Sequence, residues 1–182
     1  MNKGKLIIIS GPSGAGKGTV LAEVFRRNPY LKYSVSATTR PPRPGETHGV
    51  QYFFISKEVF EEKIRRDEML EYTTYCNHYY GTPADFVEQQ RREGFDIVLE
   101  IEPCGAMQVK KKCPDALLIF ILPPSLEELE RRLSGRGTES PEIVAARIAK
   151  AKDEMEKTDR YDFTVVNDDV EKAALQIEEI IK

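Results

Sequence analysis

The nine residues Gly11-Pro12-Ser13-Gly14-Ala15-Gly16-Lys17-Gly18-Thr19 bring four glycines, a lysine and two hydroxyls into one short stretch. Glycines let a backbone turn tightly and aim successive N–H groups at one point, and a lysine supplies a full positive charge there. Converging amides, a helix N-terminus and an ammonium together form a cradle for phosphate. The interval from Gly11 to Lys17 has the spacing of a phosphate-binding loop of enzymes that hydrolyse or transfer nucleotide phosphates. That motif places Ser or Thr directly after the lysine, to ligate magnesium. Here the position is Gly18, and Thr19 follows one place later. Either Thr19 or a water takes the ligand role, or the metal is held mainly by the nucleotide phosphates, since magnesium keeps many of its waters.

Three other groups carry charge suited to phosphate chemistry. Glu100 and Glu102 stand two apart at the end of an apolar run, so in a strand both would face one way. They suit magnesium-bound water or the N–H groups of a base, although a solvated strand end would look the same. Arg40 and Arg43 lie in Thr38-Thr39-Arg40-Pro41-Pro42-Arg43-Pro44-Gly45-Glu46, where proline forbids regular helix. Guanidinium forks hold two phosphate oxygens at once. Hydroxyls on Ser36, Tyr52 and Tyr80 would complete such a grip. Two arginines in a loop are also what a solvated surface shows, but a proline-stiffened backbone lowers the ordering cost of binding. Arg132, Arg136 and Arg147 form the third group. Arg136, between Gly135 and Gly137, is placed to swing over a transferring phosphoryl group. Arg132 reads equally as a cation in a last helical turn and Arg147 as half of a surface pair; Lys110-Lys111-Lys112 reads as a wet helix face.

The elements that must position these groups alternate between strand and helix. Lys5–Ser10 and Leu117–Leu122 are continuous apolar runs of the kind buried in parallel sheets, and Phe163–Val166 is a third strand. Asp96–Glu102 forms another strand, Tyr33–Ala37 alternates as a strand should, and Gln51–Ile55 reads as one more. Leu70–Tyr75 and His78–Tyr80 make a hairpin about Cys76-Asn77. Helices follow the phosphate loop, Ser56, Pro103 and Asp169, and a helix runs on from Pro141. Thr82-Pro83 has the order of a hydroxyl cap followed by proline, and Ser125–Glu128 is a capping box. The whole predicts an α/β fold: a parallel sheet flanked by helices, over about 1–32, 88–124 and 157–182. An aromatic, short-stranded subdomain over about 33–87 and a charged helical lid over about 125–156 are inserted into it.

Composition narrows the class. The 182 residues carry a formal net charge of -3 with 31% charged side chains, which fits a mildly acidic single domain and not a nucleic-acid binder. The run at Leu6–Ile9 is too short for a membrane span or a signal peptide. Cys76, Cys104 and Cys113 form no CxxC pair, and reduced thiols in the cytoplasm account for them. Two histidines give no basis for a zinc centre.

Over essentially its full length the chain resembles the guanylate kinases. The specific stretches are Ser10–Thr19, Ser34–Arg40 with Pro42–Glu46, Gly49–Phe53, Tyr79–Thr82, Arg136–Glu139 and Val166–Asp169. The resemblance implies a P-loop nucleoside monophosphate kinase that moves the terminal phosphoryl of ATP to GMP, with Mg2+ accompanying ATP, in purine nucleotide metabolism. It implies that Ser36, Arg40, Arg43, Tyr52 and Tyr80 hold the GMP phosphate. Glu71, Thr82 and Glu102 would read the guanine, with Glu100 and Gly105 on the GMP side. The residues from Gly11 through Pro12, Ser13, Gly14, Ala15, Gly16, Lys17 and Gly18 to Thr19 would hold ATP, with Arg132, Arg136, Asn167 and Asp168. Lys17, Arg40, Arg136 and Arg147 are the implied catalytic residues. Thr19 and Glu100 are the candidate metal ligands, partly through water. ATP and GMP are then the partners, with no nucleic acid, membrane or obligatory protein. Two departures stand out: Pro103-Cys104-Gly105 where the family usually has Gln before the glycine, and Glu100 where many members have Asp. A non-catalytic binding module on the same fold, or a kinase for another acceptor, are the competing readings. The first usually has a damaged phosphate loop; the second would use AMP or CMP as readily as GMP.

Overall fold

The computed structural model describes residues 3–134 and 141–182. In chain order the elements are β1 (Leu6–Ser10), α1 (Lys17–Arg27), β2 (Leu31–Tyr33), β3 (Ala37–Thr38), β4 (Phe53–Phe54), α2 (Lys57–Arg65), β5 (Met69–Tyr75) and β6 (His78–Pro83). Then come α3 (Ala84–Arg92), β7 (Asp96–Glu100), α4 (Pro103–Lys112), β8 (Leu117–Leu122), α5 (Leu126–Ser134), α6 (Pro141–Met155), β9 (Phe163–Val166) and α7 (Val170–Ile181). The class is α/β, with parallel strands flanked by helices, as the apolar runs require. The chain divides into two compact units.

One unit comprises Ile7–Pro29, Glu100–Pro103 and Leu117–Lys182. Its strands β1, β8 and β9 run parallel, with Ile7 beside Leu117 and Leu122 beside Val166. Every residue of β1 is buried, which is why the strand reads as a solid apolar run and not an alternation. Helix α1 packs against α7, and Asn28 Nδ2 donates to Glu178 Oε1 at 2.7 Å where α1 ends before Pro29. Helices α5 and α6 close on each other through Leu129, Leu133 and Ala151. Ser125 does cap α5, accepting from the Glu128 amide at 3.1 Å. The expected reciprocal half of the box gives way, because the Glu128 carboxylate binds Arg131 and Arg132.

The other unit comprises Met1–Leu6, Tyr30–Leu99 and Cys104–Ala116. Here β2 lies parallel to β7, and a four-stranded sheet has the order β4-β3-β6-β5. The single strand expected over Tyr33–Ala37 is two. The Ser34 amide still donates to Val98 O at 2.9 Å, whereas Ala37 pairs with Phe53 and Gly81 in the four-stranded sheet. Alternation records that a segment is extended but not which neighbour it pairs with. The hairpin is as expected: β5 and β6 join through Cys76 and Asn77, both at positive φ (48° and 62°), the pairing a two-residue primed turn needs. Phe60 stacks on Tyr79 with centroids 5.0 Å apart, over Ala37 and Met69. Strand β5 lies at the sheet's edge, and the Gln108 side chain clips it there. Its Oε1 accepts from the Tyr72 amide (3.2 Å) and its Nε2 donates to the Tyr72 carbonyl (3.3 Å).

Two further sequence expectations are corrected in this unit. Thr82 does not cap α3: β6 continues through Pro83, the helix starts at Ala84, and the Ala84 amide donates to Glu68 O at 2.9 Å. The hydroxyl of Thr82 is instead taken by a buried carboxylate. Nor is the Lys110–Lys112 run merely wet. Lys112 Nζ donates to Met69 O at 2.6 Å and pairs with Asp67, and Lys110 Nζ donates to Ala116 O at 2.7 Å.

Candidate active site

In the β1–β8–β9 unit, β1 delivers the chain into the glycine loop and α1 starts at Lys17. The loop's shape depends on glycine at two places in particular. Gly16 caps α1 at φ 83°, where a Cβ would lie 2.4 Å from Asn167 Nδ2. At Gly11 (φ 154°) a Cβ would lie 2.3 Å from the Ile121 carbonyl oxygen. Both backbone and space therefore exclude a side chain. The loop is braced from behind, since buried Asn167 donates from Nδ2 to Ala15 O at 2.8 Å. Arg132 reaches the same carbonyl at 3.5 Å and Asn167 O at 3.4 Å while paired to Glu128. Arg132 thus serves the loop, beyond any effect on its own helix end.

Lys17 Nζ donates to Gly11 O (2.7 Å) and Pro12 O (3.2 Å). Burial lowers its pKa, while the charges of Glu100, Glu154 and Glu102 work the other way. Two cavities share Lys17, Ser13 and Glu100. The larger, about 610 Å³, is lined further by Gly14, Thr19, Arg132, Asn167 and Asp168. The smaller, about 320 Å³, adds Glu102, Arg147, Lys150 and Glu154. Strand β7 stops at Glu100, short of the expected Glu102, yet both carboxylates line the smaller cavity. Burial raises the pKa of Glu154, with Lys150 opposing that shift.

Arg147 and Glu154 therefore share a wall with Lys150, which the sequence reading passed over together with Glu154. The available signal was their spacing: positions 147, 150, 151 and 154 fall on one helical face. Arg136 lies outside the described residues. Gly18 has nothing within 4 Å of where a Cβ would stand, so space does not exclude a hydroxyl there. Thr19 and Glu100 both line the larger cavity, and no group of three His, Cys, Asp or Glu among the described residues could hold a metal. That donor set fits a magnesium ion bound mostly by phosphate oxygens and water, with one or two protein oxygens, and not a closed metal cage.

The second cluster belongs to the other unit. Arg40 pairs with Glu46 (2.9 Å), donates to Pro41 O (2.8 Å), and lies 5.7 Å from the ring centroids of Tyr52 and Phe54. The hydrogen bond from Arg40 comes first in lowering the Glu46 pKa, followed by one from the Arg43 amide. The same Glu46 thus ties both arginine positions, since its Oε2 accepts the Arg43 amide at 2.7 Å. The rings of Tyr52 and Tyr80 meet edge to face at 5.9 Å. Ser36 borders this group, its carbonyl accepting the Phe53 amide at 2.8 Å.

Deeper in, Glu71 is only 6% exposed and accepts from Thr82 Oγ1 at 2.7 Å. Burial raises its pKa and the Thr82 hydrogen bond partly offsets that. Gly105 on α4 makes room for it: a Cβ there would approach Glu71 Oε2 to 3.0 Å. Of the residues named from sequence, Ser36, Arg40, Arg43, Tyr52, Tyr80, Glu71, Thr82 and Gly105 fall in this unit. Gly11–Thr19, Glu100, Glu102, Arg132, Arg147, Asn167 and Asp168 fall in the other.

Comparison with known proteins gives one answer. The family model described as guanylate kinase matches residues 3–182. The guanylate kinase of Streptococcus thermophilus is 52% identical over 181 residues, covering 99% of this chain and 87% of that protein. That of Lactococcus lactis is 52% identical over 180 residues, covering 99% and 88%. The crystal structure of guanylate kinase from Anaplasma phagocytophilum superposes with a TM-score of 0.75 at 30% identity, covering 100% of this chain and 86% of that one. With the glycine loop, its lysine and the buried carboxylate in place, the chain belongs to the guanylate kinase family.

Proposed function

We propose that the chain performs the ATP:GMP phosphotransfer of its family with the phosphates of ATP in the cavity at Lys17 and GMP held by Arg40, Arg43 and Glu71. The observation that carries the acceptor's identity is the buried Glu71 carboxylate beside Thr82. A buried acid calls for donors, and guanine offers N1–H and the 2-amino group side by side. Adenine presents an acceptor at N1, which would leave the Glu71 oxygen not taken by Thr82 without a donor. A site that loses buried hydrogen bonds rejects strongly.

The chemistry asked of the protein is positioning and charge neutralisation. Lys17 would exchange its two loop carbonyls for phosphate oxygens, and the α1 amides and dipole add to the attraction. Arg40 and Arg43, with the hydroxyls of Ser36, Tyr52 and Tyr80, would fix the GMP phosphate. That phosphate is already anionic, so no general base is required. Arg132 and Arg147, with Arg136, would balance the charge of the transferring group and help exclude water. Thr19 and Glu100 are the residues that would hold Mg2+, which supplies neutralisation of the ATP phosphates. Asn167 and Asp168 would border the adenine, and Glu100 and Glu102 would face the GMP side. The segments over about 33–87 and 125–156 would act as acceptor subdomain and lid. No helix of the described residues is long and apolar enough to cross a membrane, and work in the cytoplasm on free nucleotides is the setting we propose.

The test is ADP release from ATP over GMP, AMP, CMP and UMP. GMP should exceed the others by two orders of magnitude or more in kcat/KM, roughly the discrimination expected when a base leaves polar groups unpaired. Equal use of all four would refute the reading of Glu71, and no transfer to any would refute phosphotransfer.

A further inference from the structure

The smaller cavity contains a cation that the reaction described above does not use. Lys150 Nζ, on α6, donates to Glu102 Oε1 at 3.0 Å and lies 3.7 Å from Glu154 Oε1. From this geometry we infer that Lys150 is a positioning residue for the acceptor base, fixing the Glu102 carboxylate from behind so that its other oxygen faces a guanine N–H. The inference deepens the proposed function and rests on its assignment of Glu102 to the guanine.

Three observations support it. A carboxylate has about four lone-pair directions, and Lys150 occupies only one oxygen, so restraint and base recognition are compatible. Glu102 lies just past the end of β7, without the strand ladder to hold it, and its side chain is 70% exposed. A carboxylate so placed would otherwise sample many rotamers and lose entropy when it binds. Lys150 itself is anchored at both ends. Its helix packs on α5 through Ala151, the next residue, and the buried Glu154 one turn on holds the ammonium from the other side. Burial disfavours the charge on Lys150, but the hydrogen bond and charge of Glu102, then Glu154, outweigh it and raise its pKa. The ammonium therefore stays charged throughout the neutral range.

A rival role for Lys150 is charge balance alone. The cavity wall carries Lys17, Arg147 and Lys150 against Glu100, Glu102 and Glu154, and loss of one cation would repel both anionic substrates alike. Steady-state kinetics of the full chain separate the two. Lys150→Ala should raise the KM for GMP about two- to fivefold, the range of an exposed ion pair. The KM for ATP and kcat should stay within about twofold on the same scale. Lys150→Arg should restore most of the loss. In a Glu102→Ala background, Lys150→Ala should add little, because coupled neighbours are not additive. An equal rise in both KM values, or a lower KM for GMP, would overturn the inference. If Glu102→Ala raises the KM for GMP and Lys150→Ala does not, the inference alone falls. If Glu102→Ala leaves that KM unchanged, the guanine role of Glu102 falls and takes the inference with it.

Discussion

The glycine loop and the Arg40 cluster, the two phosphate sites proposed above, are made of different material. The loop is backbone: two glycine positions exclude any side chain, α1 starts at once, and the lysine rests on carbonyls of the loop itself. The Arg40 cluster is mostly side chain: a guanidinium held by Glu46 beside the rings of Tyr52 and Phe54, with one backbone carbonyl, that of Pro41, accepting from it. A backbone cradle is rigid because its hydrogen bonds and dihedral angles are local. A side-chain grip has to be pre-organised by a partner that gives way or shares. In both, the cation is already satisfied by an internal acceptor, so binding is an exchange of partners and not a first pairing. This keeps the cost of burying charge low before the substrate arrives.

That contrast can be broken most severely at the lysine. Lys17→Ala should cut kcat by about 10²- to 10³-fold, the scale of losing one electrostatic contact to a transition state. Its circular dichroism spectrum should stay native, and near-normal turnover would sink the assignment of the loop. Next comes Glu71→Gln. One charged acceptor of two guanine donors is lost, so the KM for GMP should rise about 10- to 100-fold, with the KM for ATP unchanged.

Glu71 also has a pH signature. Its folded pKa lies above the unfolded value because burial disfavours the anion. Stability from this group is therefore present in acid and is lost as pH rises through the folded pKa. In the proposed role recognition would run the opposite way, because two guanine donors need the ionised form. The KM for GMP should rise as pH falls through that raised pKa, beginning above the ordinary glutamate range. Glu71→Gln should flatten this limb while increasing the melting temperature at neutral pH, and a lower melting temperature would contradict the cost assigned to the buried acid.

Glu46→Gln sharpens the comparison from the other side. Weakening the brace on Arg40, without removing the side chain that makes it, should raise the KM for GMP about two- to fivefold, the scale of one modest ion pair. Activity indifferent to this change would mean that Arg40 is held well enough by Pro41 and the aromatic rings. The smallest effect belongs to Gly18→Ser. A Cβ meets nothing there, and serine favours helix over glycine by a few tenths of a kcal/mol. Thermal stability should rise slightly, and a marked loss of activity would show that the bare position is needed.

The same difference in material governs what could be read from residue order. Strands β8 and β9 were legible to the residue because each is an apolar run with turn residues or prolines after it. The hairpin was legible from Cys76-Asn77, and the glycine loop between β1 and α1 from its spacing, since both are local. Partners chosen across the fold were not. Tyr33–Ala37 conceals a change of sheet, Thr82 gives its hydroxyl to Glu71 and not to a helix end, and Lys112 buries its reach against Met69. Glu46, Lys150 and Glu154 are ordinary charges in one dimension and acquire meaning only from what packs beside them. Chain order specifies backbone devices directly, whereas side-chain devices require the tertiary neighbours.

The Gln108 clip on β5 has a consequence for the life of the molecule in a crowded solution. An outer strand with open N–H and C=O groups invites a second polypeptide to add itself as the next strand. By filling the Tyr72 pair with an amide from its own helix, the chain leaves an incoming strand without a continuous run of rungs at that point. The exposed aromatic stretch that ends at Tyr75 can then remain on the surface with less risk of seeding an aggregate.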